Sequence, residues 1–307
     1  MVHNNVGVII TLLVIAGGLV WLLVRSFRGK EIDRRVIFLF IMVSVAAPLL
    51  ATITFKFTAT PIVEALYDKI EALPEGSTVL LSFDFDPAMA PEVQPMANVV
   101  TRHCLEKNIK IVFMCLWATG QGQLEITLDQ VLRRDFAHKI DGVDYVNMGY
   151  KAGNEGVLNV IVTDFEKMFP TDVNTTPYGD IEILQGVNSC KDMDLIVSFG
   201  GGRPGIKEWI LFVGDPTGVP SAGGVAAVVA PQLYPYYPRQ LMGLLGGIKG
   251  AAEYESHFRE RHPNHADMDT PAIIMMGPQT IAHIVIIAFI IIGNVLFFMN
   301  RRRGARS

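Results

Sequence analysis

The sequence has 307 residues, half of them hydrophobic, and a formal net charge of −4. That average hides a division, because the segment from Lys56 to Pro278 contains 17 Lys or Arg and 28 Asp or Glu, a net charge of −11. A nucleic-acid partner requires a basic surface, so we exclude nucleic acid for this segment. A segment of roughly 220 residues is long enough to form one hydrophobic core.

Three apolar runs without a charged residue have the length of a membrane-spanning helix, roughly 20 residues. They occupy positions 6–24, 36–55 and 281–298. A helix satisfies its own backbone hydrogen bonds, which suits it to crossing hydrocarbon. The sequence therefore predicts three transmembrane helices that anchor the chain in a lipid bilayer.

The basic residues predict the orientation of these helices. Outside 56–278 the chain carries nine Lys or Arg against two acids, a net charge of +7. Short loops rich in Lys and Arg remain in the cytoplasm. We therefore expect a bacterial inner-membrane protein whose N-terminus and main domain lie outside the cytoplasm and whose C-terminus lies inside. The predicted parts are 1–55 with two transmembrane helices and a basic loop, 56–278 as the extracytoplasmic domain, and 279–307 with the third helix and a basic tail.

Within the extracytoplasmic domain, apolar runs of strand length alternate with segments of helical periodicity. Strands are predicted at 78–83, 109–116, 143–147 and 195–199, and helices at 58–74, 91–107, 123–138, 156–168, 181–191 and 241–254. The segments 208–213 and 225–230 fit a strand or a helix. Continuous apolar strands separated by helices predict an α/β fold, built on a mostly parallel sheet that is covered on both faces.

Two carboxylates follow the first predicted strand. Asp84 and Asp86 flank Phe85 where that strand gives way to a loop, and ligands of open α/β sheets gather at such strand ends. With one residue between them, both side chains are expected on one side, where they could hold a cation or share a proton. The alternative is that Asp86 caps a turn ahead of Pro87 and Asp84 is solvated.

A glycine-rich segment follows the strand predicted at 195–199. Gly200, Gly202 and Gly205 fit the G-x-G-x-x-G pattern, and together with Gly201 they would let a ligand approach the backbone. A dinucleotide site also needs an acidic residue about 20 positions further on, and none lies there. We therefore predict no cofactor. The alternative is a tight exit from the strand.

Three histidines fall within nine residues near the end of the domain. His257, His262 and His265 lie among acidic residues, and imidazole with carboxylate suits zinc or another divalent metal. Their spacing lacks the close pairing of an H-x-x-x-H motif. The alternative is a solvated linker.

Ser221 precedes a run of small residues, Ala-Gly-Gly-Val-Ala-Ala, and either caps a packed helix or acts as a nucleophile that opens one. With Gly200-Gly-Gly upstream and Gln240-Leu-Met-Gly-Leu-Leu-Gly-Gly-Ile downstream, residues 195–248 resemble the membrane-bound signal-peptide peptidase family and its Clp–crotonase relatives. The resemblance implies a glycine-rich oxyanion loop, a nucleophilic serine and a lysine base. Lys207 and Lys249 are the candidate bases.

The cysteines indicate no metal or redox motif. Cys104, Cys115 and Cys190 form no C-x-x-C pair, and one thiol is left over even if two of them bond. Cys115 lies within an apolar run, which predicts a buried side chain.

The sequence favours a membrane-anchored binding or assembly protein without enzymatic activity, which associates with copies of itself or with other membrane proteins. The aromatic loop Tyr234–Tyr237 and the glycine- and alanine-rich segment 241–252 offer contact surface. At helical spacing, Gly243, Gly246, Gly247 and Gly250 would line one face for close packing. The alternative function is a membrane-tethered serine hydrolase of signal-peptide-peptidase type that uses Ser221. A third is ion or solute binding at Asp84 and Asp86.

Overall fold

The computed structural model describes residues 13–14, 16–18, 20–22, 24–25, 33–52 and 54–304. The chain divides into two compact units, which are described separately. One consists of Met1–Lys56 together with Ile273–Ser307, and the other of Phe57–Ala272. The second unit contains the sheet and every candidate site residue.

A six-stranded, all-parallel sheet forms the centre of the second unit, in the order β3-β2-β1-β4-β5-β6. The strands are β1 Thr78–Asp84, β2 Lys110–Cys115, β3 Tyr145–Tyr150, β4 Leu195–Gly200, β5 Ser221–Val225 and β6 Gly243–Gly246. This is the strand order of a doubly wound α/β fold, which reverses direction between β1 and β4. The predicted α/β fold with a mostly parallel sheet is confirmed.

The α-helices whose bounds lie within residues 33–304, the part of the chain described almost without gaps, are numbered in order along the sequence. They are α1 Arg34–Leu50, α2 Pro61–Ala72, α3 Ala90–Glu106, α4 Gly120–Thr127, α5 Glu155–Ile161, α6 Phe165–Met168, α7 Ile206–Trp209, α8 Asp215–Thr217, α9 Ala230–Leu233, α10 Gly247–Arg261 and α11 Pro271–Gly304. Single π-helical segments, Leu128–Arg133 and Ile210–Gly214, continue α4 and α7.

The alternating side chains of the strands supply both faces of the sheet with a core. Leu80 of β1 and Ile196 of β4 pack in one buried cluster with Phe165 of α6 and Trp209 of α7. Helix α10 packs against both α2 and α3. Because β1 and β4 are buried along nearly their whole length, their continuous apolar sequences were readable as parallel strands.

Several local predictions in the second unit are wrong. The predicted helix at 241–254 begins as strand β6 and becomes helix α10 only at Gly247, whose φ is +61°. The predicted helix at 181–191 consists of short 3₁₀ turns. The ambiguous segment 208–213 is helical, and 225–230 contains the last residue of β5, a turn and the first residue of α9. The three cysteines are free and buried.

Among the described residues of the chain, one helix is long and apolar enough to cross a membrane. It is α11, over Pro271–Met299. Helix α1 has 17 residues and contains Pro48. The run predicted at 6–24 lies largely outside the described residues. Three transmembrane helices are therefore not confirmed. Within this unit, Ile281 and Val285 of α11 form a small cluster with Phe40 of α1, and Phe40 meets Phe289 edge to face at 5.8 Å.

Candidate functional site

Two of the predicted sites, the one at Asp84 and the one at Gly200, lie side by side at the carboxyl-terminal ends of the strands. Asp84 is the last residue of β1 and Gly200 the last residue of β4, and the two are register partners. They lie at the point where the strand order reverses, which is where ligands bind in open α/β sheets. The sequence placed Asp84 and Gly200 at strand ends, and the strand order makes them neighbours.

Asp84 is completely buried and its carboxylate is surrounded by donors. It accepts hydrogen bonds from the backbone N–H of Leu116 at 2.8 Å, from Trp209 Nε1 at 2.8 Å, and from the hydroxyls of Ser82 and Ser198 at 2.8 and 3.0 Å. Burial raises the pKa of Asp84 to about 6, against the lowering effect of these hydrogen bonds. The side chain joins β1, β4, α7 and the end of β2.

Asp86 does not share these partners. Its Oδ1 accepts from the backbone N–H groups of Ala88 at 3.0 Å and Met89 at 3.1 Å, so it caps the turn after β1. Asp84 faces the interior and has four donors at the positions that a cation would need. The expected arrangement of two carboxylates acting as a pair is therefore wrong, because each is held by a different set of donors. The turn-capping alternative for Asp86 matches the structure.

The glycine loop after β4 is packed closely by side chains from two neighbouring loops. A Cβ on Gly200 would lie 2.8 Å from the carbonyl oxygen of Asp84, and one on Gly201 would lie 2.7 Å from Met89 Sδ. The indole of Trp117 covers Gly202, and its Nε1 donates to the carbonyl of Pro204 at 2.8 Å. These glycines allow close packing of Met89 and Trp117. Gly205 precedes α7, which has only four residues.

Ser221 lies at the amino-terminal ends of the strands, opposite the end that holds Asp84 and Gly200. It is the first residue of β5 and is paired with Ile196, four residues before Gly200, so roughly 13 Å of strand separates Ser221 from the glycine loop. Its buried Oγ donates to the carbonyl of Val219 at 3.3 Å. The expectation that Ser221 opens or caps a helix is wrong, because it opens a strand.

The candidate bases for Ser221 are not bonded to it. Lys249 pairs with Glu253 at 3.2 Å, and Lys207 is exposed. Ser221 lines an open cleft of about 430 Å³ together with Lys69 and Asp215. No basic side chain in the described part of the chain forms a hydrogen bond with Ser221 Oγ. A nucleophilic role for Ser221 stays a prediction.

The three predicted metal-binding histidines make separate contacts. His257 Nδ1 meets Arg261 Nη1 at 2.7 Å, and His265 Nε2 meets Glu106 Oε2 at 2.6 Å. His262 stacks on Phe258 with ring centroids 4.3 Å apart, and its Nε2 lies 3.9 Å from Glu71 Oε2. Over the described residues, His262 is the only one of the three whose ligand atom meets two other potential metal ligands.

The loops that follow the strands share a property that no single motif shows. We define the carboxyl edge as residues 85–91, 116–122, 151–154, 201–205 and 226–232, and within it only Asp86, Lys151 and Arg203 are charged. Asp86 is capped as described, Lys151 Nζ lies over the ring of Phe169, and Arg203 Nε bonds Glu155 Oε1 at 2.7 Å. The loops of the carboxyl edge therefore contain few charged residues of their own.

The opposite edge has the reverse character. We define the amino edge as residues 74–77, 107–109, 139–144, 191–194, 215–220 and 239–242, the loops that precede the strands. Ten of its residues are charged: Glu75, Lys107, Lys139, Asp141, Asp144, Lys191, Asp192, Asp194, Asp215 and Arg239. Six of these are acidic and four are basic, so the amino edge shares the net negative charge of the domain. The carboxyl edge has only three charged residues, against ten at the amino edge.

A scan against models of known protein families finds no match for this chain. A search of curated proteins finds no relative. The resemblance of residues 195–248 to the signal-peptide peptidase family therefore stays a prediction from the motifs alone.

Proposed function

We propose that the chain is a membrane-anchored binding protein that associates with further copies of itself through the carboxyl edge. The observation that carries the proposal is the contrast between a carboxyl edge with three charged residues and an amino edge with ten. The carboxyl edge includes exposed apolar residues, of which Val228 is 82% exposed and Pro87, Ala88, Ala118 and Ala227 are also exposed. Exposed apolar surface of this kind is typical of interaction sites.

The charge of the domain favours this edge for contact between copies. With a net charge of −11 between Lys56 and Pro278, two copies repel each other over most of their surface. The repulsion is weakest where few charges face the partner, and charged residues are depleted from the centres of interfaces. Anchoring in a membrane also raises the effective concentration of the copies.

Helix α11 supports the membrane anchor. Its apolar side chains are exposed to the surroundings, among them Ile284, Ile287, Ile290, Ile291, Phe297 and Phe298, each more than half exposed. Such a surface suits lipid rather than water. The basic residues at 301–303 lie in its last turn, which favours a cytoplasmic C-terminus.

The orientation can be measured with single cysteines and a membrane-impermeant maleimide. We expect a cysteine at Ser307 to be labelled only after the cytoplasmic side is opened, and a cysteine at Asn174 to be labelled in intact cells. The native cysteines are buried, so they give a low background. The reverse labelling pattern would place the domain in the cytoplasm and refute the proposed location.

Association through the carboxyl edge predicts the effect of one added charge. Val228→Glu places a carboxylate in the contact and is expected to weaken association about 100-fold, or ~3 kcal/mol, because like charges face each other across it. Since Val228 is exposed, the fold of the single copy is expected to be unchanged. The readout is co-purification of two differently tagged copies from detergent.

Ile140→Glu is the matched control. Ile140 is 60% exposed and lies at the amino edge, so the same change of side chain introduces the same charge at the other end of the strands. We expect its copies to co-purify as the wild type does. If Val228→Glu also co-purified at the wild-type level, or if Ile140→Glu alone prevented it, the assignment to the carboxyl edge would be wrong.

A further inference from the structure

Three metal-ligating side chains that are distant in sequence converge where α2, α3 and α10 end. Glu71 belongs to α2, His103 to α3, and His262 directly follows α10. One ligand atom of each lies within 4.8 Å of the other two. His103 Nε2 is 2.9 Å and His262 Nε2 is 3.9 Å from Glu71 Oε2. Zinc bonds of 2.0–2.2 Å place tetrahedral ligand atoms roughly 3.4 Å apart, within this range.

The other ring nitrogen of each histidine has a partner that orients the ring. His262 Nδ1 lies 3.1 Å from the carbonyl oxygen of Phe258. A carbonyl only accepts, so this contact orients Nδ1 as a donor and leaves Nε2 directed toward Glu71 and His103. His103 Nδ1 lies 2.7 Å from the hydroxyl of Tyr254, which can accept its proton. Metal-bound histidines are held in this way by a second partner.

The exposure of the proposed ligands also suits a metal. The side chain of Glu71 is 42% exposed, whereas that of His103 is fully buried. Solvent therefore reaches the group from the side of Glu71.

We propose that Glu71, His103 and His262 bind a divalent transition metal, with zinc as the best fit. Two imidazoles and one carboxylate are ligands that zinc takes in proteins, while calcium and magnesium require oxygen ligands throughout. Three protein ligands leave a fourth position for water on the exposed side of Glu71. The metal would link α2, α3 and the end of α10. This site does not depend on the proposed association at the carboxyl edge.

The test is zinc binding by the detergent-solubilised full chain after treatment with chelator and dialysis against dilute Zn²⁺. We expect about one zinc per chain in the wild type by elemental analysis. Removing a direct ligand should weaken binding by more than the 10- to 100-fold typical of an outer-shell partner. Glu71→Gln and His262→Gln are the ligand variants, because both side chains are partly exposed and their replacement is compatible with folding.

His257→Gln and His265→Gln are the controls, since they remove histidines from the same segment but not from the proposed site. We expect both to retain one zinc per chain. We also expect zinc to raise the melting temperature of the wild type and of both controls by the same amount. No zinc in the wild type would overturn the proposal. Equal zinc content in the wild type and the two ligand variants would also overturn it. Loss of zinc in the His257 and His265 variants, with zinc retained by the ligand variants, would assign the metal to His257 and His265 instead.

Discussion

Replacing Asp84 with alanine is expected to lower the free energy of unfolding by about 4 kcal/mol. The change leaves the fixed N–H groups of Leu116 and Trp209 without an acceptor, and each buried unsatisfied donor costs roughly 1–3 kcal/mol. The hydroxyls of Ser82 and Ser198 lose their acceptor as well, and a small cavity opens. Urea unfolding followed by tryptophan fluorescence is a suitable measurement, because Trp209 is buried and bonded to Asp84.

Asp86→Ala is the control for that prediction. Asp86 is partly exposed and caps a turn with two hydrogen bonds, so its loss is expected to cost about 1 kcal/mol, as for a lost helix cap. If both variants kept wild-type stability, the buried network around Asp84 would be wrong.

The effect of Asp84→Ala is also expected to depend on pH. Burial raises the pKa of Asp84 to about 6, above its value in the unfolded chain. The folded state therefore binds the proton more tightly, and the resulting stability is present at low pH and lost as pH rises through about 6. The difference in unfolding free energy between wild type and Asp84→Ala should be larger at pH 5 than at pH 7.

The second large effect is expected at Gly243 in β6. A Cβ there would lie 2.7 Å from the Cβ of Leu66, 2.8 Å from its backbone nitrogen and 3.0 Å from its Cα. These atoms belong to α2 and cannot rotate away, so Gly243→Ala must displace α2 from the sheet. We expect a loss of about 3 kcal/mol, at the upper end for overpacked cores.

Gly156→Ala is the matched control for Gly243→Ala. Gly156 lies in α5, and nothing comes within 4 Å of an added Cβ. Alanine is favoured over glycine in a helix by up to about 1 kcal/mol, so this variant should be equally or more stable than the wild type. The same unfolding measurement compares the two. A neutral Gly243→Ala would mean that α2 does not pack on β6.

The glycines at 243–250 show where the sequence misleads. Their spacings of three, four and seven match one face of a helix, but Gly243 and Gly246 belong to β6 and Gly247 begins α10. A Cβ on Gly250 would meet the backbone of Leu245 at 2.9 Å, so this segment packs inside the domain. The glycine face is therefore no evidence for a partner. Small residues lack the alternating apolar pattern that identifies a strand.

Strand β5 escaped prediction for the same reason. Its sequence Ser-Ala-Gly-Gly-Val has little β-propensity, and it is a strand because other elements approach it closely. A Cβ on Gly224 would lie 2.8 Å from Met96 Sδ in α3. Tertiary packing selects the strand there, and the residues of 221–225 carry no local sign of it. The apolar strands β1, β2 and β4 could be predicted because burial on both faces requires continuous apolar residues.

The two candidate sites needed the strand order and the packing of helices. The uncharged stretches at 116–122 and 226–232 are visible in the sequence, but only the parallel sheet places them at one edge. Glu71, His103 and His262 are spread over most of the domain, so no short motif links them. The sequence grouped His262 with His257 and His265, whereas the structure places it near Glu71 and His103.

The most direct test of association through the carboxyl edge is the mass of the native, detergent-solubilised chain, measured by sedimentation equilibrium in a neutrally buoyant detergent. One copy has a mass of 33.8 kDa. The proposal predicts a protein mass of two or more copies for the wild type and a shift toward one copy for Val228→Glu at the same concentration. A wild type that sediments as a single copy at every concentration would contradict it.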